Sequence, residues 1–359
     1  MAAAAAARED ETASYMQQFD GRLNKYDFHL EEIPRLSHKD RRAEALIAAE
    51  KPVVLTGTSL VKTALKWSLP YLEANLGSGD CNVYESKTNR FKYYDDKKLT
   101  STPDFKFVPP THLRQMTFSE FVTELRQCEK NPKRKKRVYL QQPLNDTVGP
   151  AIVRDFVHFD WEWLRENQSR CNWGPLTSNL LLVGMAGNLT PAHYDEQQNF
   201  FCQVEGQKHC MLFAPDQFEN MYPYPIGHPC DRQSQLVLEE PIDSNVFPNV
   251  SKLRGVHTVV GPGDVLYIPM YWWHQIQSLA DGEHTTSVTF WYRAGPSPKE
   301  IKWPLSVEQK VAVTRNIEKM LHEALKDPNE VRHVLRMIVD GRYSATNWKT
   351  PYEGMEKPV

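Results

Sequence analysis

From about residue 175 to 292 the chain is written in short apolar runs separated by turn residues. Ser178–Gly184, Asn199–Val204, Lys208–Phe213, Val265–Pro269 and Ser287–Tyr292 are rich in branched and aromatic side chains. Each is strand length, and no long helical pattern intervenes, so the spacing predicts a β-sandwich or barrel. Glu205 and Gly206 sit where a tight turn would join two of these strands. Upstream, a helix over 41–49 precedes a short buried strand, Lys51 to Thr56, and a second helix is predicted from Met116 to Cys128.

Downstream the period changes. Ser306 followed by Gln309 forms a capping-box pattern, after which Val313, Ile317, Met320 and Ala324 recur at helical spacing. Asp327 and Pro328 offer a second helix start. Val331, Val334, Leu335, Ile338 and Val339 form its apolar stripe, and Gly341 is its expected cap. Helices this short need something to bury against, either the β domain or a second copy of the chain.

Composition bounds the picture without sharpening it. The chain has 359 residues, a formal net charge of -2 and 25% charged residues, so no field points to nucleic acid or an anionic membrane. No apolar run is long enough to span a bilayer. The first residues lack the basic and apolar regions of a signal peptide, and the six cysteines are scattered without a CxxC pair. Reduced thiols and an intracellular location are therefore expected, cytoplasmic and open to the nucleus. The basic run from Asn131 to Arg137 is weighed as a nuclear-import or nucleic-acid patch and read instead as a solvated loop.

The candidate chemistry lies at His193, Asp195 and His274. An HxD pair on a strand presents both side chains on one face. Chance supplies about 0.7 such pairs at average aspartate usage, and the chain contains three, at His38, His158 and His193. Context selects the third. It opens a predicted strand, and a turn, a buried strand and a proline from Pro262 onward lead to His274. Lys208 shares a strand face with Cys210 and Leu212, where an ammonium needs an anionic partner. Two histidines and a carboxylate on one face of an octahedron suit non-haem iron(II), leaving positions for a chelating 2-oxo acid and for dioxygen. Structural zinc would call for four closed ligands.

Residues Thr190–Phe201, Tyr222–Gln233 and Pro262–His274 resemble the HIF asparaginyl hydroxylases, in the JmjC branch of the cupin 2-oxoglutarate oxygenases. The resemblance runs from about residue 32 to Tyr343. It implies a mainly β fold with flanking helices: a double-stranded β-helix (jelly roll) over 31–300 with helical N-terminal additions. Around it are expected a disordered leader at 1–30, a helical dimerisation region at 301–343 and a flexible tail at 344–359. Carried across, the resemblance makes His193, Asp195 and His274 the iron(II) ligands. Lys208, Thr190 and Tyr139 would hold the distal carboxylate of 2-oxoglutarate, with Asn199 near the metal. Thr289 stands where the family has a second asparagine. Arg232 and Gln233 would bind the target amide, and Tyr93 and Trp291 would line a peptide groove. The implied substrates are a HIF-alpha-like transactivation segment and ankyrin-repeat proteins, in an oxygen-sensing role. The alternatives are another JmjC hydroxylase or demethylase, or a non-catalytic metal-binding cupin scaffold.

Overall fold

A computed structural model describes residues 26, 28–100, 107–131, 133, 135–145, 148–279, 284–296 and 302–340. The expected leader (but for a few residues), the cap at Gly341 and the expected tail lie outside them.

Among the described residues, fourteen strands fall into two sheets. In chain order they are β1 (His29–Glu32), β2 (Arg35–Ser37), β3 (Val53–Thr56), β4 (Asp80–Ser86), β5 (His112–Thr117), β6 (Arg137–Pro143) and β7 (Leu176–Met185). There follow β8 (Leu189–Tyr194), β9 (Gln197–Glu205), β10 (Lys208–Phe213), β11 (Arg254–Val260), β12 (Val265–Ile268), β13 (Trp273–Ser278) and β14 (His284–Arg293). The smaller sheet runs β1-β11-β10-β13-β8, and the larger runs β2-β3-β12-β9-β14-β7-β6-β4-β5. This is the expected jelly-roll core.

β9, β10, β12 and most of β14 are buried along their length because both faces of the sheets are covered there. Along β9, Phe200 and Cys202 enter the core beneath the helices, while Phe201 enters the core between the sheets. Along β10, Cys210 and Leu212 face between the sheets, and Met211 and Phe213 join a third core behind the small sheet. The two-residue period therefore points Lys208 into the space between the sheets.

Helices α1 (Arg41–Ala48), α2 (Leu69–Asn75), α3 (Phe118–Lys130), α4 (Pro150–Val157) and α5 (Trp161–Arg170) supply Ile47, Leu72, Phe121, Ile152 and Leu164 to the first of these cores. The starts of α1 and α5 are set by caps: Asp40 accepts from Arg42 N at 2.8 Å and Asp160 from Trp163 N at 3.0 Å. These are the aspartates of the other two HxD pairs, so both are helix caps and not ligands. The segments holding α2, α4 and α5 carry no helix expectation from the sequence. Two residues of the basic run are tied into the fold: Lys136 pairs with Glu85 at 2.7 Å and Glu124 at 2.8 Å, and Arg137 donates to Asn188 and the Ala186 carbonyl.

At the C-terminal end, α6 (Val307–Leu325) starts in the expected capping box, with Ser306 N donating to Gln309 Oε1 at 2.9 Å. Asp327 caps α7 (Pro328–Val339). Much of the stripe on this pair is exposed, including Val313, Ile317, Met320, Ile338 and Val339.

Candidate metal centre and cosubstrate cleft

β8 and β13 pair antiparallel with His193 directly opposite His274, which sets the two imidazole centroids 4.1 Å apart. Asp195 follows one residue beyond β8. The HxD pair thus closes a strand, and does not open one as the sequence pattern suggests. One donor atom from each of His193, Asp195 and His274 lies within 4.8 Å of the others, and no other such group occurs among the described residues.

Both histidines are oriented by the backbone. His193 Nδ1 lies 2.9 Å from the Pro191 carbonyl and His274 Nδ1 3.0 Å from the Trp272 carbonyl. A carbonyl only accepts, so each Nδ1 carries the proton and each Nε2 lone pair is left for a metal. Burial, then the neighbouring His193, push His274 down to about 4, which keeps it neutral at physiological pH. Burial works against the Asp195 carboxylate, but His193, His274, Arg232 and the Trp291 N–H outweigh it and hold its pKa below the usual range. Its backbone carbonyl is fixed by Tyr271 N at 2.8 Å.

The three residues open into a cleft of about 540 Å³. Tyr139, Thr190, Asn199, Thr289 and Trp291 line it together with Tyr93, Arg232 and Gln233, so nearly all the sequence-predicted site residues meet there. Tyr139 and Thr190 share a side-chain hydrogen bond. Gly184 leaves room for the tyrosine, since a Cβ there would stand 3.1 Å from its ring. Lys208 is 2% exposed, with Nζ 5.7 Å and 5.1 Å from the ring centroids of Tyr139 and Phe201, two residues of the cleft wall. No carboxylate pairs with it among the described residues. Burial depresses its pKa to about 8.

The polar atoms of this cleft are under-used. Asn199 Oδ1 and Thr289 Oγ1 are buried without a hydrogen-bond partner, a costly arrangement unless a ligand completes it. Two imidazoles and a carboxylate at one end, and an unpaired ammonium with free hydroxyl and amide groups in the wall, fit a metal ion plus a small dicarboxylate.

At the mouth, Gln233 is buried and donates its amide N–H to the Tyr93 carbonyl, while Tyr93 itself is 54% exposed. Arg232 Nη1 lies 3.6 Å from Asp195 Oδ1, and Trp291 Nε1 donates to Asp195 Oδ2 at 3.3 Å. From the sequence both are expected only on the substrate side. Their contact with the ligand carboxylate joins segments about a hundred residues apart in the case of Trp291, and no local pattern announces it.

The family described as the cupin-like domain matches residues 39–297. Lysine-specific demethylase 8 of Xenopus tropicalis is 30% identical over 249 residues, covering 68% of this chain and 49% of that protein. The protein of the same name from Danio rerio is 28% identical over 296 residues, covering 80% and 64%. The chain thus spans between half and two thirds of these relatives. A mouse tRNA wybutosine-synthesizing protein 5 is 25% identical over 253 residues, covering 68% and 74%. JmjC appears in the names of further relatives, and none of these names points to an asparaginyl hydroxylase. With a match that covers residues 39–297 and a fold of the same kind, the chain belongs to the cupin-like domain family.

Proposed function

We propose that the chain is an iron(II)- and 2-oxoglutarate-dependent oxygenase that hydroxylates the β-carbon of asparagine in protein substrates. Iron(II), once held by His193, Asp195 and His274, supplies the oxidising chemistry that dioxygen and the 2-oxo acid feed, with succinate and carbon dioxide as by-products. The residues around it bind and orient. Lys208 neutralises the distal carboxylate of the cosubstrate, Tyr139 and Thr190 give it directed hydroxyls, and Asn199 and Thr289 serve the end nearer the metal.

The observation that carries the asparagine reading is Gln233 beside the triad. Its N–H is committed to the Tyr93 carbonyl, so its Oε1 is left to accept from a primary amide. Gln233 also pairs with His193 across a β-bridge, which ties the amide-reading group to a metal ligand. An extended peptide over exposed Tyr93 and along Trp291 would bring one C–H bond to the metal, and positioning is the protein's main contribution. A HIF-alpha-like segment and ankyrin-repeat proteins are the substrates the motif resemblance supports.

The names of the relatives favour a second reading, demethylation of lysine in a protein. The charge of the cleft does not separate the two readings, since Arg232 and Lys92 are matched there by Asp195 and Asp231. Anaerobic loading with iron(II) and 2-oxoglutarate, then air, separates the two readings. An asparagine-containing ankyrin-repeat peptide should gain one oxygen with succinate formed in step. Loss of methyl groups from a methyl-lysine peptide, with the asparagine peptide untouched, would replace the first reading by the second. Succinate that still forms in a His193→Ala protein would remove both.

A further inference from the structure

Helix α6 reaches the metal site through one buried side chain. Arg315 is 4% exposed on a helix whose other side chains are mostly in solvent. Its Nε lies 3.0 Å from Glu196 Oε1, and its two terminal nitrogens lie 2.9 Å and 3.0 Å from the two oxygens of Asp231. The guanidinium carbon sits 5.5 Å from the ring centroid of Tyr194. These partners are next in sequence to the site. Tyr194 and Glu196 flank the ligand Asp195, and Asp231 precedes Arg232, which itself faces Asp195.

The rest of the helix face holds the same loop. One turn on, Glu318 Oε1 accepts from Ile226 N at 2.7 Å, and the His322 ring packs where a side chain on Gly227 would stand. From the other side, Lys98 Nζ donates to the Ile226 carbonyl at 2.7 Å and to Asp231 at 3.1 Å. The loop needs holding. Tyr222 and Arg232, at its two ends, take left-handed backbone angles of +46° and +68°, a conformation that non-glycine residues keep when their surroundings impose it.

We propose that Arg315 is a positioning residue of the metal site: its planar fork locks the Asp195 segment and the Arg232–Gln233 segment into one register. A lysine in its place could not span both carboxylates, since it offers a point charge without the fork. The proposal rests on the metal-site reading above, and the two can fail separately.

The test is a titration with cobalt(II), followed by its visible absorption, on the full chain in its wild-type and Arg315→Ala forms. A wild type that takes up no cobalt would sink the metal-site reading itself. Otherwise the folded variant should bind about tenfold more weakly or worse, the scale seen when a partner of a metal ligand is lost. Millimolar guanidinium, and not sodium chloride at equal ionic strength, should restore much of the affinity. Unchanged cobalt affinity would overturn the proposal, as would a loss that guanidinium leaves in place, because a mere staple between helix and domain predicts one or the other. Should Arg315→Ala fail to fold, Glu196→Gln decides. It removes one of the two bridged carboxylates at a half-exposed position, and it must weaken cobalt binding too or the proposal falls.

Discussion

Trp291 Nε1 donates to Asp195 Oδ2 at 3.3 Å, so an aromatic wall of the cleft also holds the carboxylate of the donor triad. Strand β14 and the turn after β8 bring them together from 96 positions apart. A tryptophan here has two separable parts, a ring that contacts substrate and an N–H that aims a ligand. Trp291→Phe keeps most of the ring and removes the N–H. It should loosen the metal about tenfold with the unfolding midpoint nearly unchanged. Retention of iron during dialysis against a weak chelator measures this, and equal retention would confine Trp291 to the groove wall.

Lys208 leads to a prediction with a sign. Burial holds its pKa at about 8, below the ordinary lysine value, so the folded apoprotein disfavours the ammonium. Between about pH 8 and the unfolded-state pKa near 10.4 the unfolded chain binds more protons, and apoprotein stability should rise with pH. Lys208→Met should remove that slope and stabilise the apoprotein at neutral pH by up to about 3 kcal/mol, while abolishing 2-oxoglutarate binding. In the wild type, 2-oxoglutarate affinity should fall above about pH 8, by up to tenfold per unit, with proton uptake on binding. Calorimetry in two buffers of different ionisation enthalpy reads that proton. A pH-independent affinity across roughly 7 to 9.5 would count against Lys208 as the carboxylate partner.

How far the sequence discloses this site depends on which contacts are local. Strands β7, β9, β10, β12 and β14 announce themselves because burial on both faces makes them continuous apolar runs. β8 does not: Thr190, Pro191 and the polar His193 break the run, although it carries a candidate ligand. β11, which opens on Arg254 and Gly255 and includes His257, is hidden for the same reason. The donor triad is legible through His193-x-Asp195 and the frame leading to His274. Arg315 is not, because a single arginine on an amphipathic helix has no signature until the fold places Glu196 and Asp231 around it.

Thr289 offers a narrower experiment. Its side chain is fully buried between β7 and β9, with Oγ1 unpartnered. A hydroxyl kept there without a partner costs stability, so Thr289→Val should be neutral or stabilising by about 1 kcal/mol in the apoprotein. If the hydroxyl serves the cosubstrate, the same change should weaken 2-oxoglutarate binding by roughly two- to tenfold, one neutral hydrogen bond. Thermal unfolding with and without 2-oxoglutarate reads both at once. A stabilised apoprotein with an undiminished ligand-induced shift would show that the hydroxyl is idle.

The exposed apolar stripe on α6 and α7 bears on assembly. Val313, Ile317, Met320, Met337, Ile338 and Val339 are all exposed within one short helix pair. Beside them an apolar groove of about 670 Å³ is lined by Ile226, Leu335 and Val339. Scattered apolar residues on a surface need no partner, but six on one helix pair, with Val339 also lining the groove, make this face a candidate interface. A second copy presenting the same helices would cover both stripes, as a two-fold contact requires. Leu335→Arg would place a charge inside that contact while leaving each subunit's own core untouched. The wild type should run at twice the chain mass in light scattering, and the variant at the chain mass with its circular dichroism unchanged. A wild type that is already monomeric, or a variant whose mass does not fall, would remove the stripe from the assembly and leave the groove to a partner of another kind.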